Sequence, residues 1–487
     1  MRIGIGCLAV LFAASVFGAE PAPGGATAAD PAWPKWRRAM TEPNTVYNIS
    51  DNAPTDVKFT FPGGITPSQF ACGDPGVGTL AHVFGYGGGA LFSGTGKYGT
   101  LVFGSGGENF AANMTGALNL SSDAAHYEVW QQPTFRTAAE AGAEFYWSPK
   151  EAEALPEGRR FPLCKFDKAK WDGKFPVAVG GWVYPAPVKY MEIADQVPLG
   201  SYRYDAHAYI PAEYTGLGTG VWFVPNTHFM APGFYYGIDQ AFCADFWPSG
   251  KKKWYSHYQR EDNKAWVRPS EPAPEWLTPS SFGGRTVKLS AKHRKVIVLG
   301  GTGDNELGVL DLSAGLAKAT WSQKRFTNKG SGHGGFMCRS AALSNGHPRG
   351  RALLAWLTGG YGQVPTAINV LDLDDPAYPI YAAKLPNLKG RGENFGLHYS
   401  PTLDRFISFG VELDDPKAAK AYCQKIVVPD NLGDFEAYKA EDVPLALAQG
   451  VDLTWSYTHG GMVQYVEKLD CIVFLAINKP AKAFFVK

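Results

Sequence analysis

Apolar and polar positions along this chain fall into short runs that stop at glycine or turn residues, and the runs come in pairs. The more apolar member of each pair reads "GTLVFGSGG" (99–107), "GVWFVPN" (220–226), "KVIVLGG" (295–301), "ALLAWLTGG" (352–360), "RFISFG" (405–410) or "CIVFLAIN" (471–478). Ahead of these stand "GGALFS", "AHAYIP", "RTVKLS", "CRSAALS", "GLHYSP" and "GMVQYV", each separated from its partner by turn-forming sequence such as "GTGKYG", "AKHR" or "SNGHPRG". Each pair predicts a β-hairpin. After several of them a third run carries Asp or Asn near its end ("ALNLSS", "GVLDLSAG", "INVLDLDD"), and a fourth lies near a tryptophan ("HYEVW", "KATW"). Two stretches share a further rhythm: "HYSPTLDRFISFG" (398–410) and "QYVEKLDCIVFLA" (464–476) both pass from a tyrosine through Leu-Asp into an apolar run.

A unit of four antiparallel strands recurring at intervals of roughly 50–80 residues predicts an all-β fold of the β-propeller type. Six hairpins predict six blades. About 120 residues separate the first two hairpins, and that interval is read as an insertion near 133–185. A strand in "KFPVAVGGWVYP" offers a seventh blade as the alternative. The last unit supplies three strands before the chain ends, so "NTVYNIS" (44–50) is expected to provide the fourth and close the ring, removing two sheet edges. In "VIVLGGTGDNELGVLDLSAGLAKATW", Gly300 and Gly301 end one strand, "VLDL" forms the next and Trp321 follows. The stretch "LVFGSGGENFAANMTGALNLSSDAAHYEVW" repeats that order with Gly106, Gly107 and Trp130. In this the chain resembles the kelch-type propellers of the galactose-oxidase-like superfamily. The resemblance implies glycines where the backbone nears a neighbouring blade and a tryptophan in the wedge between blades.

Composition agrees with this fold class. With 45% hydrophobic and 19% charged residues, the 487-residue chain can bury a large core. Its 57 glycines, 35 prolines and 14% aromatics favour short strands and turns over long helices. Lys plus Arg (46) nearly cancels Asp plus Glu (45), so no overall field steers it to nucleic acid. Residues 1–19, "MRIGIGCLAVLFAASVFGA", have the basic start, apolar stretch and small-residue end of a secretory signal peptide, and 20–32 read as a flexible lead-in. The expectation is a secreted protein, periplasmic or extracellular, with no membrane span, monomeric, and with one propeller domain over 33–487. Export permits disulfides among Cys72, Cys164, Cys243, Cys338, Cys423 and Cys471, whereas the lack of any CxxC pair argues against a cysteine zinc site. Asn48, Asn113 and Asn119 stand in glycosylation sequons.

In a propeller the loops leading into the innermost strands converge on the central channel, so candidate chemistry is sought there. These loops carry Arg203, Tyr204, Asp205 and His207, then His333, then Arg391, Glu393, His398 and Tyr399, and finally His459. A His and a Tyr beside an Arg have the chemistry of a polysaccharide lyase, in which Arg neutralises a sugar carboxylate and Tyr protonates the leaving oxygen. His207, His398, Tyr399, Arg391 and Glu393 are the catalytic candidates on this reading, and Arg203, Tyr204, Asp205, His333 and His459 the ligand-binding ones. Glu393 with Asp205 offers a glycoside hydrolase pair instead. A copper oxidase, by fold analogy, ranks with it below the lyase. No cofactor is predicted, and the histidines with an acidic residue leave a divalent metal as an option without HxH or HxxxH spacing behind it. The aromatic-rich stretch 221–258 adds a stacking surface for sugars, weighed against core packing. The functional expectation is recognition, and conditionally cleavage, of an extracellular carbohydrate. The alternative is a noncatalytic scaffold for protein interaction or adhesion.

Overall fold

The computed structural model describes residues 30–60, 78–84, 88–104, 114–132, 177–179, 182–184, 205–225, 256–267, 269, 273–274, 276–277, 286–300, 306–330, 340–358, 364–390, 395–412, 419–454, 456–457 and 460–487. Their strands form six antiparallel four-stranded blades in a ring, a six-bladed β-propeller. Blade 1 runs through Gly88–Phe92, Thr100–Gly104, Thr115–Asn119 and His126–Gln131. Blade 2 uses Ala208–Ile210, Val221–Val224, His257–Arg260 and Trp266–Val267, and blade 3 Thr286–Ser290, Lys295–Leu299, Glu306–Asp311 and Thr320–Arg325. Blade 4 comprises Ala341–Leu343, Leu353–Thr358, Ala367–Asp372 and Pro379–Lys384; blade 5 comprises Phe395–Ser400, Arg405–Glu412, Lys420–Val427 and Lys439–Asp442. Every hairpin read from the sequence is thus the inner pair of a blade. Val177–Val179 and Trp182–Tyr184 make a separate two-stranded hairpin outside the six sheets; the rest of 133–185 is outside the described residues.

Blade 6 joins the two ends of the chain. Val463–Val466, Cys471–Ala476 and Lys482–Phe484 come from the C-terminal end, and Thr45–Asn48 pairs antiparallel with the last of them, Tyr47 opposite Ala483 and Asn48 opposite Lys482. Ala446–Leu447 then pairs parallel along its outer side, covering that edge. Each inner strand contacts the next, and the sixth contacts the first. The helix Lys35–Arg38 reinforces this seam from one rim. Trp36 donates through its indole to the Leu120 carbonyl of blade 1, while Arg37 donates to the Leu469 carbonyl of blade 6 at 2.7 Å. The buried Arg37 guanidinium also lies over the rings of Trp33 and Phe485, at 4.2 and 4.6 Å.

Packing follows the wedges between sheets. Clusters of buried side chains occupy successive blade interfaces, among them Leu101, Phe103, Val473 and Leu475 between blades 6 and 1. Between blades 5 and 6, Phe409 packs 4.8 Å from Phe474 and 4.7 Å from Phe484 by ring centroids. Such pairs add about 0.5–1.5 kcal/mol beyond the area they bury. Trp130 is buried between blades 1 and 2, edge-on to Phe92, and Trp321 is half-buried against the interface of blades 2 and 3. The wedge role inferred for both tryptophans therefore holds.

The Tyr…Leu-Asp rhythm has a local cause. Asp404 and Asp470 close the inner hairpins of blades 5 and 6 with φ of 50° and 44°. Each accepts a hydrogen bond from the tyrosine five residues earlier, Tyr399 to Asp404 at 2.7 Å and Tyr465 to Asp470 at 2.5 Å. A short polar side chain tolerates the left-handed turn, and the phenol fixes its carboxylate.

Two predictions test the seam. A Cβ on Gly461 would fall 1.6 Å from the Gly89 carbonyl oxygen, so Gly461→Ala must force blades 6 and 1 apart. It should lower unfolding free energy by about 3 kcal/mol, the upper end of overpacking losses. Gly350→Ala, at a turn with φ of 66° and open space around it, should lose only about 1 kcal/mol; urea unfolding compares the two. Lys482 is fully buried in the closing sheet, its ammonium donating to the Pro480 carbonyl, and burial lowers its pKa to about 8. The unfolded chain holds that proton more tightly, so stability should rise from pH 8 to about 10.5 by on the order of 3 kcal/mol. In Lys482→Met that rise should shrink and stability at pH 7 should increase, measured by the same unfolding curves.

Candidate functional site

The six inner strands enclose a central cavity of about 390 Å³ lined from every blade. One register position sets the character of its wall. Ala90, Ala208, Lys288, Ala342, His398 and Gln464 each pair with a residue of the adjacent strand: Val102, Phe223, Ile297, Ala355, Ile407 and Val473 in turn. Those six partners all pack into the wedge facing the following blade. Adjacent paired residues share a sheet face, so the six inner-strand residues are equivalent. Blades 1, 2 and 4 place alanine there and blades 3, 5 and 6 a polar side chain.

Asp205, just ahead of the inner strand of blade 2, is 2% exposed and reaches two further blades. Its backbone pairs with Thr286 as a parallel bridge, and its carbonyl accepts the Val287 N–H at 2.8 Å. One carboxylate oxygen accepts from the Lys288 ammonium at 2.5 Å, and the other accepts from the Thr286 hydroxyl and from the Ala341 N–H at 3.0 Å. Burial pushes this carboxyl up, while Lys288, Thr286 and the Ala341 amide pull against it. Blades 2, 3 and 4 are therefore tied through one side chain. Ser340 continues the stitching by accepting the Leu397 N–H at 2.8 Å, and Gln464 donates across the seam to the Gly89 carbonyl at 3.2 Å.

His398 projects from the middle of the inner strand of blade 5 and is 8% exposed. Burial, then the positive charge of Lys288, lowers its pKa to about 3, so the ring is neutral at physiological pH. Its Nε2 is buried with no hydrogen-bond partner among the described residues. His207, at the entry to the inner strand of blade 2, is also buried in the channel lining and meets Trp222 edge-on at 5.5 Å.

The structure thus brings Asp205, His207, His398 and Tyr399 to the lining of one channel. Tyr399 alternates away from His398: it packs in the interface with blade 4, stacks on His347 at 5.7 Å, and its hydroxyl serves the turn at Asp404. Burial and the Asp404 carboxylate raise its pKa. Tyr399 also borders the cavity, with its phenol engaged by the turn at Asp404. Arg203, Tyr204, His333, Arg391, Glu393 and His459 lie outside the described residues. Lys288 and Gln464 were not singled out in the sequence as site residues. The signal for Lys288 was a lone charge inside the apolar run "RTVKLS".

No group of three or more His, Cys, Asp or Glu able to hold a metal occurs among the described residues. Cys423 and Cys471 are free, buried thiols pushed up to about 12 by desolvation, so neither is a nucleophile near neutral pH. In the aromatic stretch, Trp222 is fully buried between blades 1 and 2; residues 226–255 lie outside the described residues.

No family model matches the chain, and no curated protein does. Among solved structures it is similar to a protein of unknown function from Dyadobacter fermentans DSM 18053, at 10% identity and a TM-score of 0.35, over 90% of this chain and 98% of that one. It is also similar to YjhT, at 9% identity and a TM-score of 0.30, over 73% of this chain and 97% of that one. Neither likeness is close enough to carry a functional argument.

The channel predicts an acid-sensitive fold. His398 binds its proton in the unfolded chain near pH 6.5 but resists it when folded, so its share of stability is lost as pH falls from 6.5 towards 3. That share is on the order of 5 kcal/mol. In His398→Leu the acid limb should be shallower over that range, measured as unfolding free energy against pH.

Proposed function

We propose that this protein is an exported propeller that recognises an extracellular carbohydrate in its central channel, acting by binding and not by cleavage. The observation that supports it is a central cavity of about 390 Å³ bordered by polar side chains from four blades, Asp205, Lys288, His398 and Gln464. Ligand sites of this kind are concave, with a few convergent polar groups.

Two features favour binding over lyase chemistry. A general base works best with a pKa near the working pH, and His398 at about 3 is far too weak. The Tyr399 hydroxyl, the candidate proton donor, is already engaged by Asp404. The scaffold alternative draws little support from apolar surface. Among the described residues the exposed large hydrophobics are Val364 and Leu447, one in blade 4 and one in the cover strand of blade 6.

The test is a panel of neutral and uronate-containing polysaccharides and their oligomers, with binding, ultraviolet absorbance and reducing ends all measured. Binding without new products, weakened at least tenfold in His398→Leu, is the expected result. Rising absorbance would return the assignment to a lyase, and reducing ends alone to a hydrolase. Silence in all three measurements would overturn carbohydrate recognition and leave the protein-binding scaffold.

A further inference from the structure

The charges around the channel determine which sugars fit it. Lys288 is the lysine or arginine among the described lining residues, and its ammonium is held at 2.5 Å by Asp205. Asp205 is buried and itself fixed by the Thr286 hydroxyl and the Ala341 N–H, and it pairs with a half-buried Lys288. Two more carboxylates, Glu213 and Glu467, line the cavity and are exposed. A ligand carboxylate would have to share the Lys288 ammonium with Asp205 or enter without a cationic partner, against that negative surround. Taking a charge out of water unpaired is among the least favourable steps in recognition. A hydroxyl faces no such barrier, and the lining also includes the neutral side chains of Gln464, Asn345 and Ser340.

We infer that the channel selects uncharged saccharides and rejects their uronate counterparts, with the Lys288–Asp205 pair acting as the specificity determinant and not as an anion anchor. This inference rests on the carbohydrate reading of the channel. The recognising groups are neutral, and the charged pair excludes by being already satisfied. Asp205→Asn frees the Lys288 ammonium while keeping a side chain of the same shape, and so converts a spent cation into an available one.

The experiment measures binding of matched pairs, galactose with galacturonate and glucose with glucuronate, as free sugars and as short oligomers, to the wild-type chain by calorimetry and ligand-observed NMR. At least one neutral member should bind tenfold or more tightly than its uronate. In Asp205→Asn that ratio should fall towards one or invert, and the uronate gain should fade at high salt. Uronates binding as tightly as, or more tightly than, the neutral sugars in the wild-type protein would overturn the inference while leaving carbohydrate recognition intact. Binding of neither class would overturn both. Should Asp205→Asn fail to fold, as judged by its melting curve, the wild-type ratio alone decides the matter.

Discussion

Closure of the ring is the constraint on which the rest of this structure depends. A propeller blade buries its faces only against its neighbours, so the stacked wedges are complete only when blade 6 meets blade 1. Here the seam is a sheet built from both ends of the chain, with Tyr47 and Asn48 paired to Ala483 and Lys482. The inner strands approach so closely that Gly89 and Gly461 leave no room for a Cβ on either. Gln464 crosses the same seam to the Gly89 carbonyl, and Arg37 clamps it from the rim. A side chain at either glycine would act on the whole ring, because separating one interface relaxes the curvature that sets the other five.

Closure also creates the channel. Six equivalent positions, one per inner strand, meet around a common axis because the ring is shut. At each of them the paired residue on the adjacent strand is a core side chain, and in blades 1, 2 and 4 the inner-strand alanine joins the same wedge. Alanine in three blades and Lys288, His398 and Gln464 in the others give a wall that is polar on part of its circumference. Asp205 joins the fold to the charge of the channel wall. The carboxylate that binds three blades together is the same one that neutralises Lys288, so the charge state of the channel is coupled to the integrity of the fold.

The sequence by itself determined the blade architecture. Short apolar runs, glycine at the turns and a four-run order are local properties of strands and hairpins, and they marked all six inner pairs. The Tyr…Leu-Asp rhythm was equally legible because its cause, a phenol fixing a carboxylate at a left-handed turn, lies within six residues. Even the closing strand could be read, since three strands at the end of the chain demanded a fourth. What only the tertiary structure decided is which side chains share the channel and in what state. His398 and Tyr399 are adjacent in sequence and both border the channel, but only Tyr399 also packs into the interface with blade 4 and bonds the Asp404 turn. Lys288 is paired with Asp205, 83 residues away in the chain. Burial, pairing and protonation depend on groups brought together across blades, and separation along the chain carries no record of them.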